Sequence, residues 1–188
     1  MFFPNVEDQT STAMVFVDGE NLAIRYGAIL KSKGAPPAPH VQYKPDIYVW
    51  SAGVNTVCLR GRVIRKYFYT SVQGDDDRLV AVTDALKAAG LEAPHVFKKS
   101  KGRPTKRVDI SLATHMLLHA SRKNYDIAVL VAGDEDYVPL VEAVKTEGRR
   151  VFLWFVSDGL SPVLRRAADH YADLGEILFS PTNHSGWR

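Results

Sequence analysis

A chain of 188 residues, 46% apolar and 24% charged, holds enough apolar material for one packed domain and is not composed like a disordered segment. A single cysteine, Cys58, excludes an intrachain disulfide framework and a cysteine-based zinc site, and a lone thiol is expected to be a small buried apolar residue. The formal net charge of +3 and an isoelectric point near 8.9 are too mild to announce a polyanion partner by themselves.

Residues 1–12 read as an N-terminal extension without a motif, 13–180 as one domain and 181–188 as a C-terminal tail. Residues 14–18, Met-Val-Phe-Val-Asp, are branched and aromatic up to a terminal carboxylate, the pattern of a buried parallel strand. Leu22, Tyr26, Ile29 and Leu30 follow at helical spacing, and Lys33-Gly34 stops the helix. Ala35-Pro-Pro-Ala-Pro39 is a stiff surface connection, too short to link domains. Residues 46–50 fit a short strand or a helix start. A strand is expected over 65–70. Asp75, Asp76 and Asp77 precede Leu79, Val80, Val82 and Leu86, which assigns the acidic triplet to helix capping before a second metal site.

A short strand over 95–98 leads into a basic segment, Lys98, Lys99, Lys101, Arg103, Lys106 and Arg107, loosened by Gly102 and Pro104. A helix over 109–121 is expected to bury Leu112, Ala113, Met116, Leu117 and Ala120. A strand over 127–132, a helix over 136–147 stopped by Gly148, a strand over 150–156, a helix over 161–168 and a last edge strand over 177–179 complete the pattern. Alternating strands and helices with near-continuous apolar strands imply an α/β fold whose parallel sheet is covered on both faces. No basic-then-apolar leader opens the chain and no apolar run is long enough to cross a bilayer, so a cytoplasmic location is expected.

The chemistry gathers where apolar runs end in acids. Asp18 closes the first strand, Asp109 opens a helix, and Gly133-Asp134-Glu135-Asp136 places two aspartates after another strand. In an open α/β sheet the carboxyl ends of the strands form the ligand edge. Singly, Asp109 and Asp134 are ordinary helix caps, with Asp136 in a first turn. Together with Asp18 they form a repelling set that a cation or protons must neutralise, and an oxygen-only set suits Mg²⁺ or Mn²⁺. Asn21 adds an amide able to hold a water or a phosphate oxygen. Tyr26 and Tyr137 are candidate base-stacking residues, although aromatics at helical spacing more commonly belong to a core.

Val17-Asp18-Gly-Glu-Asn21, Lys106-Arg-Val-Asp109-Ile-Ser-Leu112 and Val131-Ala-Gly133-Asp134-Glu-Asp136-Tyr-Val-Pro139-Leu140 resemble the three signature blocks of the NYN domain family, in its LabA-like bacterial branch within the PIN-like nucleases. Residues 161–174 resemble the family's closing segment. The resemblance runs from about residue 14 to 174 and implies a Rossmann-like three-layer sandwich with a mainly parallel central sheet and divalent-metal-dependent ribonuclease activity. Carried over by position, Asp18, Asp109, Asp134 and Asp136 would bind the metal and, with Asn21, form the catalytic set. Many members have another aspartate six residues after the one matched by Asp109, where this chain has His115. Imidazole is a poorer Mg²⁺ ligand, and six positions along a helix turn it away from Asp109.

The expected partner is single-stranded RNA, steered by Lys98, Lys99, Lys101, Arg103, Lys106 and Arg107, with Arg60, Arg62, Arg65 and Lys66 as further contacts. No membrane partner is expected, and homo-oligomerisation is left open. One rival is an RNA-binding or regulatory module with weak or no turnover, kept alive by His115. Another is an aspartyl-phosphate phosphatase with Asp18 as nucleophile, which Glu20 two residues later and the want of an ordered lysine-plus-acid set disfavour. The nuclease reading requires Asp18 and Asp134 to share one accessible volume.

Overall fold

The computed structural model describes residues 11–56, 61–99 and 107–181. Among them a six-stranded parallel sheet runs in the order β5-β4-β1-β6-β7-β8. The strands are β1 (Thr12–Asp18), β4 (Arg62–Val72), β5 (Ala93–Lys98), β6 (Ile127–Val131), β7 (Arg150–Phe155) and β8 (His170–Asp173). A separate antiparallel hairpin joins β2 (Val41–Lys44) to β3 (Tyr48–Ser51). The helices are α1 (Gly19–Lys33), α2 (Asp76–Ala88), α3 (Arg107–Ser121), α4 (Val138–Thr146), α5 (Pro162–Ala167) and α6 (Gly175–Leu178).

Alternation along the central strands builds two cores. Ala13, Val15 and Val17 of β1 and Ile127, Val129 and Val131 of β6 face one side, where α1, α2, α6 and the hairpin pack. Met14 and Phe16 with Ala128 and Leu130 face the other, under α3, α4 and α5. Because both faces are covered, these strands are apolar at nearly every position, which is why they were legible as buried runs. From β1 the chain moves outward through β4 to β5, then returns to place β6 on the other flank of β1. The reversal opens a crevice at the carboxyl end of β1, where Asp18 stands.

Several expectations needed correction. Residues 177–179 are not an edge strand: Asp173 Oδ1 accepts the Gly175 N–H at 2.7 Å and turns the chain into α6, which buries Ile177 and Leu178. The edge strand is β8, too short and too exposed to announce itself by an apolar run. Of residues 46–50, left open between a strand and a helix start, Asp46 at φ 58° and Ile47 turn the hairpin and 48–50 enter β3, with Val49 and Trp50 buried. The helix expected from residue 136 begins with a 3₁₀ turn, Glu135–Tyr137, and Pro139 sits in the first turn of α4, where a missing N–H costs nothing. Leu117 faces solvent, and the buried stripe of α3 runs through Val108, Leu112, Met116 and Ala120. The acidic triplet does cap: Asp75 accepts the Arg78 N–H at 3.0 Å. Cys58, Arg60, Lys101, Arg103 and Lys106 lie outside the described residues, in which no helix is long and apolar enough to cross a membrane.

Candidate functional site

A cavity of about 420 Å³ opens at the carboxyl edge of the sheet, lined by Asp18, Glu20, Asn21, Lys99, Asp109, Asp134, Asp136 and Tyr137, with Ile24, Val108, Ile110, Ala113 and Leu140 as apolar wall. The four aspartates and the asparagine singled out from the sequence are therefore brought together, from three separate segments of the chain. Asp18 ends β1 and caps α1, accepting the Asn21 N–H at 3.0 Å. Asp134 caps the 3₁₀ turn through the Asp136 N–H at 3.2 Å. Asp109 is inside the first turn of α3, where its charge suits the helix dipole, and is not a cap.

Two glycines let the segments close on one another. A β-carbon on Gly19 would stand 2.0 Å from the buried ring of Phe68, and one on Gly133 would stand 2.2 Å from Phe155. The Gly133 N–H donates to Asn21 Oδ1 at 3.0 Å, tying the start of α1 to the loop after β6. Asn21 thus holds the two acid-bearing strand ends in register, a role beyond the water or phosphate contact expected of it.

Tyr137 supplies the central contact. Its hydroxyl lies 2.8 Å from Asp18 Oδ2 and 3.3 Å from Asp109 Oδ1, and the residue is 5% exposed. A phenol has one hydrogen, so it donates to one carboxylate and satisfies the other only if that one carries a proton. The electrostatics agree. Burial, with Asp109 and Glu20 nearby, pushes Asp18 up to about 7 despite the opposing Asn21 and Tyr137 hydrogen bonds. Burial and the charges of Asp134, Glu20 and Asp136 raise Asp109 as well. Burial and the two carboxylates raise Tyr137, keeping it a neutral phenol. Asp18 is only 4% exposed, yet it forms part of the cavity wall alongside Asp134.

The all-oxygen, mutually repelling donors fit a hard divalent cation in charge and chemistry. Among the described residues no three Asp, Glu, His or Cys side chains are already drawn together around one point. An ion here could be held by one or two carboxylates with water completing its shell, the habit of Mg²⁺, and Asp18 and Asp109 are the pair that the Tyr137 hydroxyl already bridges.

Contacts that sequence reasoning did not foresee also meet here. Glu20 binds Lys99 Nζ through Oε1 and the Ser71 hydroxyl through Oε2. Tyr137 was read as a stacking candidate, but it and Tyr26 are buried, and the Tyr26 hydroxyl donates to Leu178 O. Only the tyrosine directly following the acidic turn could have hinted at a carboxylate partner. His115 lies off the cavity, its Nδ1 2.9 Å from the Tyr69 hydroxyl, in a cluster with His95 and His119. Burial and the neighbouring His115 lower the basicity of His95 and His119. Of the basic segment, Lys99 reaches the cavity, while Lys98 pairs with Asp76 at 3.2 Å. Arg62, Arg65 and Lys66 lie level with residues 12–15 of β1, toward the opposite edge of the sheet, so they are not contacts at this site.

The parallel sheet, its strand order and the acid-lined switch point place the protein in the PIN-like class of α/β folds. The NYN domain matches residues 12–175, and the chain belongs to that family, whose members are generally nucleases. The crystal structure of a protein of unknown function from Vibrio parahaemolyticus RIMD 2210633 is similar, with a TM-score of 0.63 and 17% identity over 90% of this chain and 96% of that one, a likeness of fold. No curated protein matches the sequence.

Proposed function

We propose that this chain, with the motifs of the LabA-like branch, is a divalent-metal-dependent ribonuclease that hydrolyses single-stranded RNA at the acidic cavity. The observation that carries the reading is the Tyr137 hydroxyl set between Asp18 and Asp109, in a cavity that Asp134 and Asp136 also line. Asp18 and Asp109 are raised chiefly by burial and further by their acidic neighbours, a cost that a cation bound in the cavity would relieve. Asp18, Asp109, Asp134 and Asp136 would hold Mg²⁺ or Mn²⁺. The ion supplies charge neutralisation and Lewis acidity at the phosphodiester. Tyr137 orients the Asp18 and Asp109 carboxylates, and Asn21 keeps the strand ends together.

A titration of Mn²⁺ and Mg²⁺ against labelled single-stranded RNA tests this. Cleavage should require the ion, stop with chelator, and disappear in Asp18→Asn and Asp134→Asn. RNA binding without products at any ion concentration would instead favour the regulatory module, which the engaged His115 and the lack of a ready-made three-ligand group among the described residues support. The phosphatase reading fits poorly, even though Lys99 and Ser71 do gather on Glu20. Both Asp18 oxygens accept hydrogen bonds and the group is held toward its neutral acid, a weak nucleophile. A trapped phospho-aspartate would reverse that judgement.

A further inference from the structure

Among the described residues lining the cavity, Lys99 is the one cation beside five carboxylates, Asp18, Glu20, Asp109, Asp134 and Asp136. Its position is fixed twice. The backbone N–H donates to Val72 O at 2.9 Å, extending the β4–β5 pairing by one residue, and Nζ is paired with Glu20 Oε1. Glu20 is fixed in turn by the Ser71 hydroxyl near the carboxyl end of β4. The Lys99 and Glu20 side chains are 29% and 16% exposed, whereas the adjacent Lys98 pairs with Asp76 at 56% and 91% exposed, away from the cavity. Ordering a lysine costs rotamer entropy that a single ion pair barely repays, so stability alone is a thin reason for this arrangement.

We infer that Lys99 receives the phosphate next to the cleaved bond, and that Glu20 is a positioning residue holding the ammonium in the cavity. This rests on the nuclease reading above. An RNA phosphate entering the cavity meets five acids. A divalent ion offsets part of that charge, and the lysine ammonium, with one of its three hydrogens on Glu20, keeps two for phosphate oxygens. Glu20 differs from the four aspartates in having a cationic partner, so its charge is already offset by Lys99. The contact is to phosphate, so it carries no base preference.

Binding decides the matter without chemistry. Anisotropy of labelled U-rich and A-rich single-stranded RNA is measured across a salt series, with Ca²⁺ as the ion and circular dichroism confirming each fold. Lys99→Ala should weaken both RNAs about tenfold. It should also flatten the salt dependence by about 0.7 in log–log slope. Lys99→Arg should recover most of the loss, and Lys98→Ala should change affinity by less than about twofold. Glu20→Gln should weaken binding when Lys99 is present and not in the Lys99→Ala background. Equal effects at Lys98 and Lys99, or an unchanged salt slope, overturn the assignment. A wild type that binds through Lys99 but never cleaves sinks the nuclease reading and reduces Lys99 to a phosphate contact without a cleaved bond; one that cleaves with Lys99-independent binding sinks this inference alone; one that does neither sinks both.

Discussion

Asp18→Asn should make the metal-free protein more stable. The substitution keeps size and shape: an asparagine oxygen still accepts the Asn21 N–H, and its amide can donate to the Tyr137 oxygen, freeing the phenol hydrogen for Asp109. What it removes is a buried charge. Asp18 rises from 3.8 to about 7 on folding, chiefly through burial. A carboxyl whose folded pKa lies above its unfolded one binds its proton more tightly in the native state, so stability is present below 3.8 and lost as pH climbs toward 7. At 1.36 kcal/mol per pK unit the full cost at pH 8 is on the order of 4 kcal/mol, and below about 1 kcal/mol at pH 4. For a chain of this size that corresponds to roughly 10 °C in melting temperature at pH 8. Thermal and urea unfolding in EDTA at pH 4, 6 and 8 reads it directly. The gap between variant and wild type should open from pH 4 to pH 7 and then level off. A gap that is absent, or the same at every pH, refutes the reasoning. Adding Mn²⁺ should reverse the order by stabilising the wild type alone, so loss of cleavage in the variant could not be blamed on unfolding.

Because Asp18 is largely protonated at pH 6, Mn²⁺ binding there should release about one proton, seen as a dependence of calorimetric heat on buffer ionisation enthalpy that fades by pH 8.5; buffer-independent heats at pH 6 would count against the shared-proton account. Tyr137→Phe deletes the hydroxyl between Asp18 and Asp109 and should cost about 1–3 kcal/mol in urea unfolding at pH 8 while weakening the ion; an unchanged midpoint would mean the contact contributes nothing. Gly19→Ala drives a methyl into the fully buried Phe68 ring, 2.0 Å away, and should cost about 1–3 kcal/mol by overpacking. Gly133→Ala should do the same against Phe155, and both should lower affinity for the ion by spreading the strand ends; full stability in either would show that the close approach relaxes freely.

The primary structure by itself determined the parallel sheet and the edge at which to look. Central strands covered on both faces are apolar at nearly every position, so the point where an apolar run breaks into Asp18 or Asp134 marks the end of the strand as clearly as the strand itself. The capping role of Asp75 and the stop of α1 at Gly34, φ 60°, are local backbone chemistry and were readable for that reason. Tertiary structure alone decided who touches the acids. Tyr137 reaches Asp18 across 119 positions, Lys99 reaches Glu20 across 79, and neither pairing leaves a periodic trace in the chain. His115 was placed by Tyr69 on the neighbouring sheet face, and the last edge strand by pairing with β7, not by its own residues. Local order depends on neighbours a few residues away, which the sequence prints; the protonation and aim of a site depend on distances through space, which only the folded chain sets.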